Sequence, residues 1–578
     1  MSEVNENMYE GSQEREFLGH PIGLTVCFLT EMWERFSYYG MRTLLVLFLT
    51  QHFLFNTKDA GLIYGAYTGL VYLLPVVGGW FADKYLGSRK AVTFGALLLV
   101  LGHLSLAFEG PQSERYITVD GTEHKIEFQR DQIKRDQQLQ FVTIDNIRYE
   151  IIDLVAKDQS IEGITLRTPS GSKDYKAGTF SFRVNQYGEY LSIFYLSLAL
   201  IITGVGFLKA NISTIVGSLY GPNDPRRDGG FTIFYMGINL GSVLATGLCG
   251  WLGQTYGWGY GFGLAGFGML LGLIVFWKYQ YLLEGRADPP CEKELKKPVM
   301  GPINREWSIY LIGIALIGVS WVLLQYQSVV GQMLTAGNIL MIAVVVGYGF
   351  IKCTKEERER LMVACMLIMF SVLFWALFEQ QGSSLTLLAD QQFNRDLGLF
   401  TLTASQVQLM NPLFIVMAAP LLAMLWVKLN KMGWEPSTPA KFGMALVLMG
   451  IGYYGFTFGL MTEGNTKSFF WLFYIYLFMT LAELCISPVG LSMITKLSVA
   501  RIVGMMMGFW FLASALANYV AGVIAGMTGG DGHGASSGSV DVVNTIEVFT
   551  QVGLLCMGVG VLLMVISPLI KKRMHGIH

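Results

Sequence analysis

The chain of 578 residues balances 41 Lys and Arg against 42 Asp and Glu, for a net charge of −1; 52% of it is hydrophobic and only 14% charged. Soluble domains carry about 25% charged residues, so this composition, with a mean hydropathy of +0.45, excludes an ordinary soluble protein. The near-neutral balance says nothing about partners; no nucleic acid is expected, and no protein partner is predictable from the sequence.

Apolar runs of about 20 residues, the length that crosses a bilayer, recur along the whole chain. Fourteen are expected, centred near residues 35, 70, 98, 203, 240, 268, 315, 341, 370, 415, 450, 482, 513 and 557. The fold class is an all-α integral membrane protein with fourteen transmembrane helices. The first seventeen residues are polar and acid-rich and precede a run of span length, so no cleavable signal peptide is expected. With the N-terminus in the cytoplasm, the inner loops hold basic clusters at 84–90, 226–227, 278–305, 352–360, 428–441, 496–501 and 571–573. The short outer loops hold only Lys58, Arg395 and Lys467. This asymmetry obeys the positive-inside rule, and puts both termini in the cytoplasm of a multi-pass protein of the bacterial inner membrane. The seven cysteines lie mostly in spans without paired spacing and read as small buried apolar residues.

The first span contains Glu31-Met-Trp-Glu34-Arg35-Phe-Ser-Tyr38-Tyr39-Gly40. A charge at bilayer depth costs about 2.5–3.5 kcal/mol on insertion scales, so such residues face a bundle interior or a water-filled path. Between spans three and four, residues 109–188 are polar and free of cysteine. Tyr116–Val119, Lys125–Phe128, Phe141–Ile144, Ile147–Ile151 and Phe180–Val184 alternate like half-buried strands. A small β-rich extracytoplasmic insert is expected, stable without disulfides. Its place beside the outer mouth suits gating, substrate capture or partner docking as well as plain decoration.

Spans one and nine match at an offset of 342 residues, Trp33 with Trp375, Phe36 with Phe378 and Gly40 with Gly382. Lys209 and Glu483 stand on corresponding spans four and twelve, and Met236-Gly237 and Met507-Gly508 on spans five and thirteen. Two related six-helix bundles with two extra helices between them follow, a repeat typical of secondary transporters with a midplane site. The division is a tail (1–17), N-terminal bundle helices 1–3 (18–108), the insert (109–188), helices 4–6 (189–281), a cytoplasmic linker (282–305), the extra helices (306–351), the C-terminal bundle (352–571) and a tail (572–578).

Seven ionisable residues fall inside spans: Glu31, Glu34, Arg35, Arg42, Lys209, Glu379 and Glu483. Four acids against three bases leave one carboxylate over, and a lone carboxylate in a low dielectric tends to hold a proton. Both signs also suit a zwitterion, with Lys209 and Glu483 facing each other across a cavity, paired without substrate and parted by it. Structural ion pairs locking helices together are the plainer reading. Tyr38, Tyr39, Tyr72, Asn239, Trp375, Asn411, Trp510 and Ser514 lie on the same spans. The two asparagines serve either substrate or helix–helix contact; the aromatic residues serve either a pocket or packing. Gly261-Phe-Gly-Leu-Ala-Gly266 has no preceding strand and is no dinucleotide site. Asn211-Ile-Ser213 lies within a span, and 529–540 with His533 reads as an outer loop, not a metal site.

The sequence resembles the proton-dependent oligopeptide transporters, the peptide branch of the major facilitator superfamily. The resemblance rests on Glu31-x-x-Glu34-Arg35-Phe-x-Tyr38-Tyr39-Gly40, on Phe234-Tyr-Met-Gly-Ile-Asn239-Leu-Gly and on Gly78–Lys90. Phe374-Trp375-Ala-Leu-Phe-Glu379-Gln, Asn411-Pro-Leu-Phe and Glu483-Leu-Cys-Ile-Ser487-Pro fit as well. It covers nearly the whole chain except the insert, and the two extra helices look like the bacterial members. It implies a symporter that imports di- and tripeptides with protons and uses no cofactor. Glu31, Glu34, Arg35 and Glu379 would couple proton movement. Arg42 and Lys209 would hold the peptide carboxylate, and Glu483, Asn239 and Asn411 the amino group. Tyr38, Tyr39, Tyr72, Trp375, Ser487, Trp510 and Ser514 would complete the substrate site. Ala210 departs from the Pro that often follows the span-four Lys, and the insert departs from the usual short loop. The alternatives are a carrier of another small solute such as nitrate, or a peptide sensor. A hydrolase would need a nucleophile–base or metal pair at depth, where His103 is the only histidine.

Overall fold

Backbone surrounded by lipid must satisfy its N–H and C=O groups within the segment, and each apolar run accordingly folds as a long helix. A computed structural model describes residues 15–577 except 131–137, 156–160, 222–223, 465, 488–489 and 531–537, so His533 lies outside the described residues. The spans are α1 (Gly23–Gln51), α2 (Thr57–Phe81), α3 (Ser88–Leu106), α4 (Gly188–Ser218), α5 (Arg227–Tyr256), α6 (Trp258–Tyr279) and α7 (Arg305–Gln325). They continue with α8 (Gln327–Lys352), α9 (Lys355–Phe378), α10 (Met410–Lys431), α11 (Thr438–Leu460), α12 (Phe470–Ile486), α13 (Val503–Met527) and α14 (Val542–Arg573). Twelve of them are long and apolar enough to cross a membrane. The other two fall short for identifiable reasons: α1 carries Glu31, Glu34, Arg35 and Arg42, and α12 has only 17 residues. Ala210 leaves α4 continuous through Lys209. The long polar-free faces that remain exposed, such as Leu413, Val416, Met417, Leu421 and Met424 on α10, are the surface a bilayer would cover.

Helices α1–α6 pack as one group and α9–α14 as another. Helix α7 lies mainly on α4 and α8 mainly on α13 and α9, and both also touch α2. The groups meet most extensively where α2 crosses α13. Gly61, Gly65 and Gly69 recur every fourth residue on α2, and a Cβ on Gly61 would lie 2.5 Å from the Gly522 carbonyl. Small residues at this spacing let two helices approach closely without a hydrophobic driving force.

Between α3 and α4 the chain forms a seven-stranded antiparallel sheet: β1 (Glu114–Val119), β2 (Thr122–Arg130), β3 (Gln138–Ile144), β4 (Ile147–Val155), β5 (Ile161–Thr168), β6 (Gly171–Lys176) and β7 (Phe180–Asn185). The order is β6-β5-β4-β3-β2-β1-β7. Asp120-Gly121 and Asp145-Asn146 take positive φ at two hairpin tips, the conformation that tight hairpins require. One face buries Ile117, Val119, Ile126, Val142, Ile151, Ile164, Leu166 and Tyr175 as a separate core. The sheet curls enough for Tyr175 on the β6 edge to donate to Asp120 in the β1–β2 turn at 3.1 Å. The opposite face carries cross-strand ion pairs, Lys125–Glu114, Arg183–Glu123 and Arg167–Glu150. Alternation in the sequence points to five strands, and β5 and β6 escape it. Gly163 interrupts β5, and β6 is an exposed edge strand with a single buried side chain, Tyr175.

The sheet is rooted on the α1 end and the α5–α6 turn. Ser113 N–H donates to His52 O at 3.0 Å, Gln186 Nε2 to Phe53 O at 2.8 Å and Gly259 N–H to Glu109 Oε2 at 2.7 Å. Its first and last strands pair, Glu114 opposite Asn185, so the chain enters and leaves at one point. Replacing 114–185 by a short Gly-Ser linker should therefore leave a folded, monodisperse membrane protein, checked by size-exclusion chromatography in detergent. Aggregation of the shortened protein would make the sheet an integral part of the fold.

Candidate functional site

Helix α1 buries its charges by answering them locally. Arg35 Nε lies 2.7 Å from Glu31 Oε1, one turn back, and 2.8 Å from Glu34 Oε2. Two turns further on, Arg42 Nε donates to the Tyr64 hydroxyl at 2.7 Å, and its other arm forms an ion pair with Glu379. That pair joins α1 to α9 and so spans the two helix groups. Glu31, Glu34, Arg35, Arg42 and Glu379 are all buried. Glu379 sits where α9 stops. A 3-10 turn, Glu379–Gly382, follows, and Ser384–Gln391 resumes as a short helix. A break in a spanning helix is tolerated where it is enclosed by protein or lines a cavity. Gly382 is required there, since a Cβ would fall 2.0 Å from the Tyr64 hydroxyl and 3.3 Å from Arg42 Nε.

Lys209 projects from α4 with its Nζ 4.0 Å from the Tyr72 ring centroid, a cation–π contact. It stands within electrostatic reach of Glu31, Glu34 and Arg35. Across the structure, Glu483 on α12 accepts from Asn411 Nδ2 at 2.9 Å, and the same amide donates to Thr480 at 3.1 Å. Lys209 and Glu483 thus have separate partners, a ring and an amide, instead of the mutual pair that the sequence alone suggests. The reason is packing: among the described residues α4 makes no extended contact with α12, and each side chain finds its partner within its own group. The sequence census of four acids and three bases resolves as one arginine serving two carboxylates, one arginine serving one, and the last acid and base held by neutral groups.

Asn239 Nδ2 donates to the Tyr235 carbonyl of its own helix at 3.0 Å. Tyr38 and Tyr39 meet edge to face at 5.3 Å. Trp375 packs against Phe374 and Phe378, and Ser514 donates back to Trp510 O at 2.9 Å. Ser487 ends α12 and is exposed. Sequence reasoning missed Tyr64, the partner of Arg42, although Tyr64, Tyr67 and Tyr72 fall near one face of α2 at helical spacing. It also missed Tyr235, half exposed and within electrostatic reach of Glu483 and Tyr39, and Thr480, which a hydroxyl one turn before Glu483 signals.

The two groups are tied at the end that carries the sheet. Gln51 Nε2 donates to Asp390 Oδ2 at 2.7 Å, Thr57 Oγ1 to Ser539 O at 2.9 Å and Ser405 N–H to Gln254 Oε1 at 2.9 Å. Among the described residues, α4 and α5 make no extended packing with α12 and α13 at the other, basic end. Lys209, Asn239, Asn411 and Glu483 are half-buried, between a closed end and a parted one.

Two six-helix groups around polar and charged side chains define a secondary transporter of the major facilitator type. The chain belongs to the POT family, whose model matches residues 89–533; it is a membrane transporter and not an enzyme. It is 33% identical to an uncharacterized transporter, YclF, of Bacillus subtilis, over 99% of both chains. It is 30% identical to a di-/tripeptide transporter of Lactococcus lactis subsp. lactis, over 98% of both. A crystal structure of a mutant of the peptide transporter POT in complex with alafosfalin superposes with a TM-score of 0.72, at 30% identity, covering 97% of this chain and 98% of that one.

Gly382→Ala should push Tyr64 off Arg42 and destabilise the protein by about 1–3 kcal/mol, the range for overpacking a close contact, read as a lowered melting temperature in detergent. Gly522→Leu should part α2 from α13, because even a Cβ there would lie 2.2 Å from the Gly61 carbonyl. The expected readout is faster alkylation of a cysteine placed at Thr57, at the sheet end.

Proposed function

We propose that the chain is a proton-coupled symporter that imports di- and tripeptides across a bacterial inner membrane by alternating access. The observation that carries this reading is the α1 cluster, in which one guanidinium, Arg35, serves two buried carboxylates, with the Lys209 ammonium nearby. Glu31, Glu34, Arg35 and Lys209 together are neutral. A peptide carboxylate that engages Lys209 uses that positive charge, and leaves the cluster one negative charge in excess. A low-dielectric site answers an uncompensated carboxylate by binding a proton. Peptide and proton thus favour each other's binding, which is the thermodynamic content of symport.

Arg42 offers a second cation once Glu379 takes a proton and releases it. At the opposite wall, Glu483, held by Asn411, with Asn239 opposite, receives the peptide ammonium. Tyr38, Tyr39, Tyr72, Trp375, Trp510, Ser487 and Ser514 form the walls, whose aromatic faces accept many side chains. The basic end is cytoplasmic and the sheet extracytoplasmic, so the described conformation faces inward: the Gln51–Asp390 and Thr57–Ser539 contacts shut the outside. Each proton entering down the membrane potential supplies about 2.3 kcal/mol per 100 mV. The likeness to a di-/tripeptide transporter over 98% of its length supports the substrate class.

The test is uptake of radiolabelled dialanine by proteoliposomes with and without an inward proton gradient. Accumulation that collapses with a protonophore is expected; absence of gradient-driven uptake by folded protein would remove the reading. Glu34→Gln should abolish driven uptake while exchange across equal pH persists. Lys209→Ala should lower kcat/KM about a hundredfold, in line with about 2–5 kcal/mol for truncating one partner of a buried charged contact; unchanged kinetics would exclude Lys209 as carboxylate ligand.

A further inference from the structure

Glu34, Tyr38 and Arg42 follow one another at i, i+4 and i+8 on one face of α1. The rise of 1.5 Å per residue separates the first from the last by about 12 Å. The two charged centres, Glu34 with Arg35 and Arg42 with Glu379, are thus too far apart for direct proton exchange. Tyr38 stands midway along α1, and Tyr67 comes alongside from α2, one turn beyond the Tyr64 that binds Arg42. Tyr67 lies in the field of Glu34 on one side and of Tyr64 and Arg42 on the other. Tyr38 lies in the field of Tyr67, Arg42 and Glu379.

Among the described residues, the hydroxyls of Thr30, Tyr38 and Tyr67 and both carboxylate oxygens of Glu34 are buried without a hydrogen-bond partner. Glu34 keeps its ion-pair contact with Arg35, without a hydrogen bond. Buried polar groups are rarely left so, and a polar recess offering about 2–4 such groups is where proteins hold internal water. Neither a phenol nor a carboxylate is needed there for packing, since Phe and Leu fill the same space in a helix interface.

We propose that Tyr38 and Tyr67 hold a buried water chain that passes protons between Glu34 and the Arg42–Glu379 pair, with Tyr67 as its positioning residue. This rests on the symport reading above. One O–H bond breaks at the protonated Glu34 and one forms at the Glu379 carboxylate; each water or phenol between them gives up one proton as it accepts another. The neutralised Glu379 releases Arg42, which becomes available to the peptide carboxylate. Arg35, Glu31 and Lys209 face the Glu34 end, and Tyr39, Tyr64 and Tyr72 the remainder, so the proton rests on the carboxylate at either end, Glu34 or Glu379, and on nothing between them.

Tyr67→Phe removes one hydroxyl and keeps the ring. Wild-type and variant proteoliposomes, with a pH dye trapped inside, are assayed for gradient-driven dialanine accumulation, for the accompanying proton influx and for dialanine exchange at equal pH. Driven accumulation and proton influx should both fall about tenfold, the factor that belongs to about 1.4 kcal/mol, while exchange stays within about twofold. Retention of wild-type influx would overturn the proposal. A proportional loss of exchange would also overturn it, by making Tyr67 a packing residue. Failure of the wild type itself to couple dialanine to protons would instead remove the symport reading, and this inference with it.

Discussion

Four charges in the first span have to be neutralised in a medium that cannot solvate them, and the rest of the structure is arranged around that requirement. Arg35 answers Glu31 within α1 itself, because residues four apart share a helix face, and its guanidinium also reaches Glu34 beside it in the chain at 2.8 Å. Arg42 has no acid within reach on its own helix and must find one elsewhere. Its partner, Glu379, comes from the other half of the molecule, at the point where α9 loses its regular hydrogen bonding. One ion pair therefore both satisfies a buried cation and joins the two groups of helices. Breaking a buried pair by removing one partner costs about 3–5 kcal/mol, so only a group that replaces the lost partner, such as a proton on Glu379 or a carboxylate on Arg42, lets the halves separate at low cost.

Elsewhere the halves are held by contacts between neutral groups, apart from the Asp390 carboxylate, which keeps Arg395 3.8 Å away within its own half. The glycines of α2 meet Gly522 and Gly526 of α13 through backbone approach, and Gln51–Asp390 and Thr57–Ser539 add single hydrogen bonds at the sheet end. Such contacts are individually modest, and they exchange for water without leaving an unpaired charge in lipid. The molecule thus joins one costly pair at its centre to several cheap contacts at its closed end, a distribution suited to two alternative closures. Hairpin α7–α8 turns at Tyr326 and leans with α7 mainly on α4 and with α8 mainly on α13 and α9.

The insert obeys different physics. Its sheet is stabilised by its own apolar face and by exposed cross-strand ion pairs that water screens, and all seven cysteines of the chain are free. It meets the membrane helices through a handful of hydrogen bonds, most of them between a side chain and backbone, at the end of α1 and the α5–α6 turn. Its position next to Gln51, which bonds to the insert through its carbonyl and to Asp390 through its side chain, sets it beside the closed end.

Local sequence was enough for the helices, since about twenty apolar residues leave the backbone no alternative in lipid, and enough for five of the seven strands, where alternation was regular. Residues such as Glu31, Glu34 and Arg35 announced themselves because a charge inside an apolar run is costly in lipid, and a cluster within one helical turn pairs with itself. Partners distant in sequence were not legible in the same way. Tyr64 for Arg42, Asn411 for Glu483 and Tyr72 for Lys209 depend on how α2, α10 and α4 lie against their neighbours. The expected Lys209–Glu483 pair gave way to that packing. Which residues are buried and charged was determined by the sequence itself, through the cost of each residue in lipid. Which of them meet was decided only by the tertiary structure, because pairing energies fall with distances that helix packing alone sets.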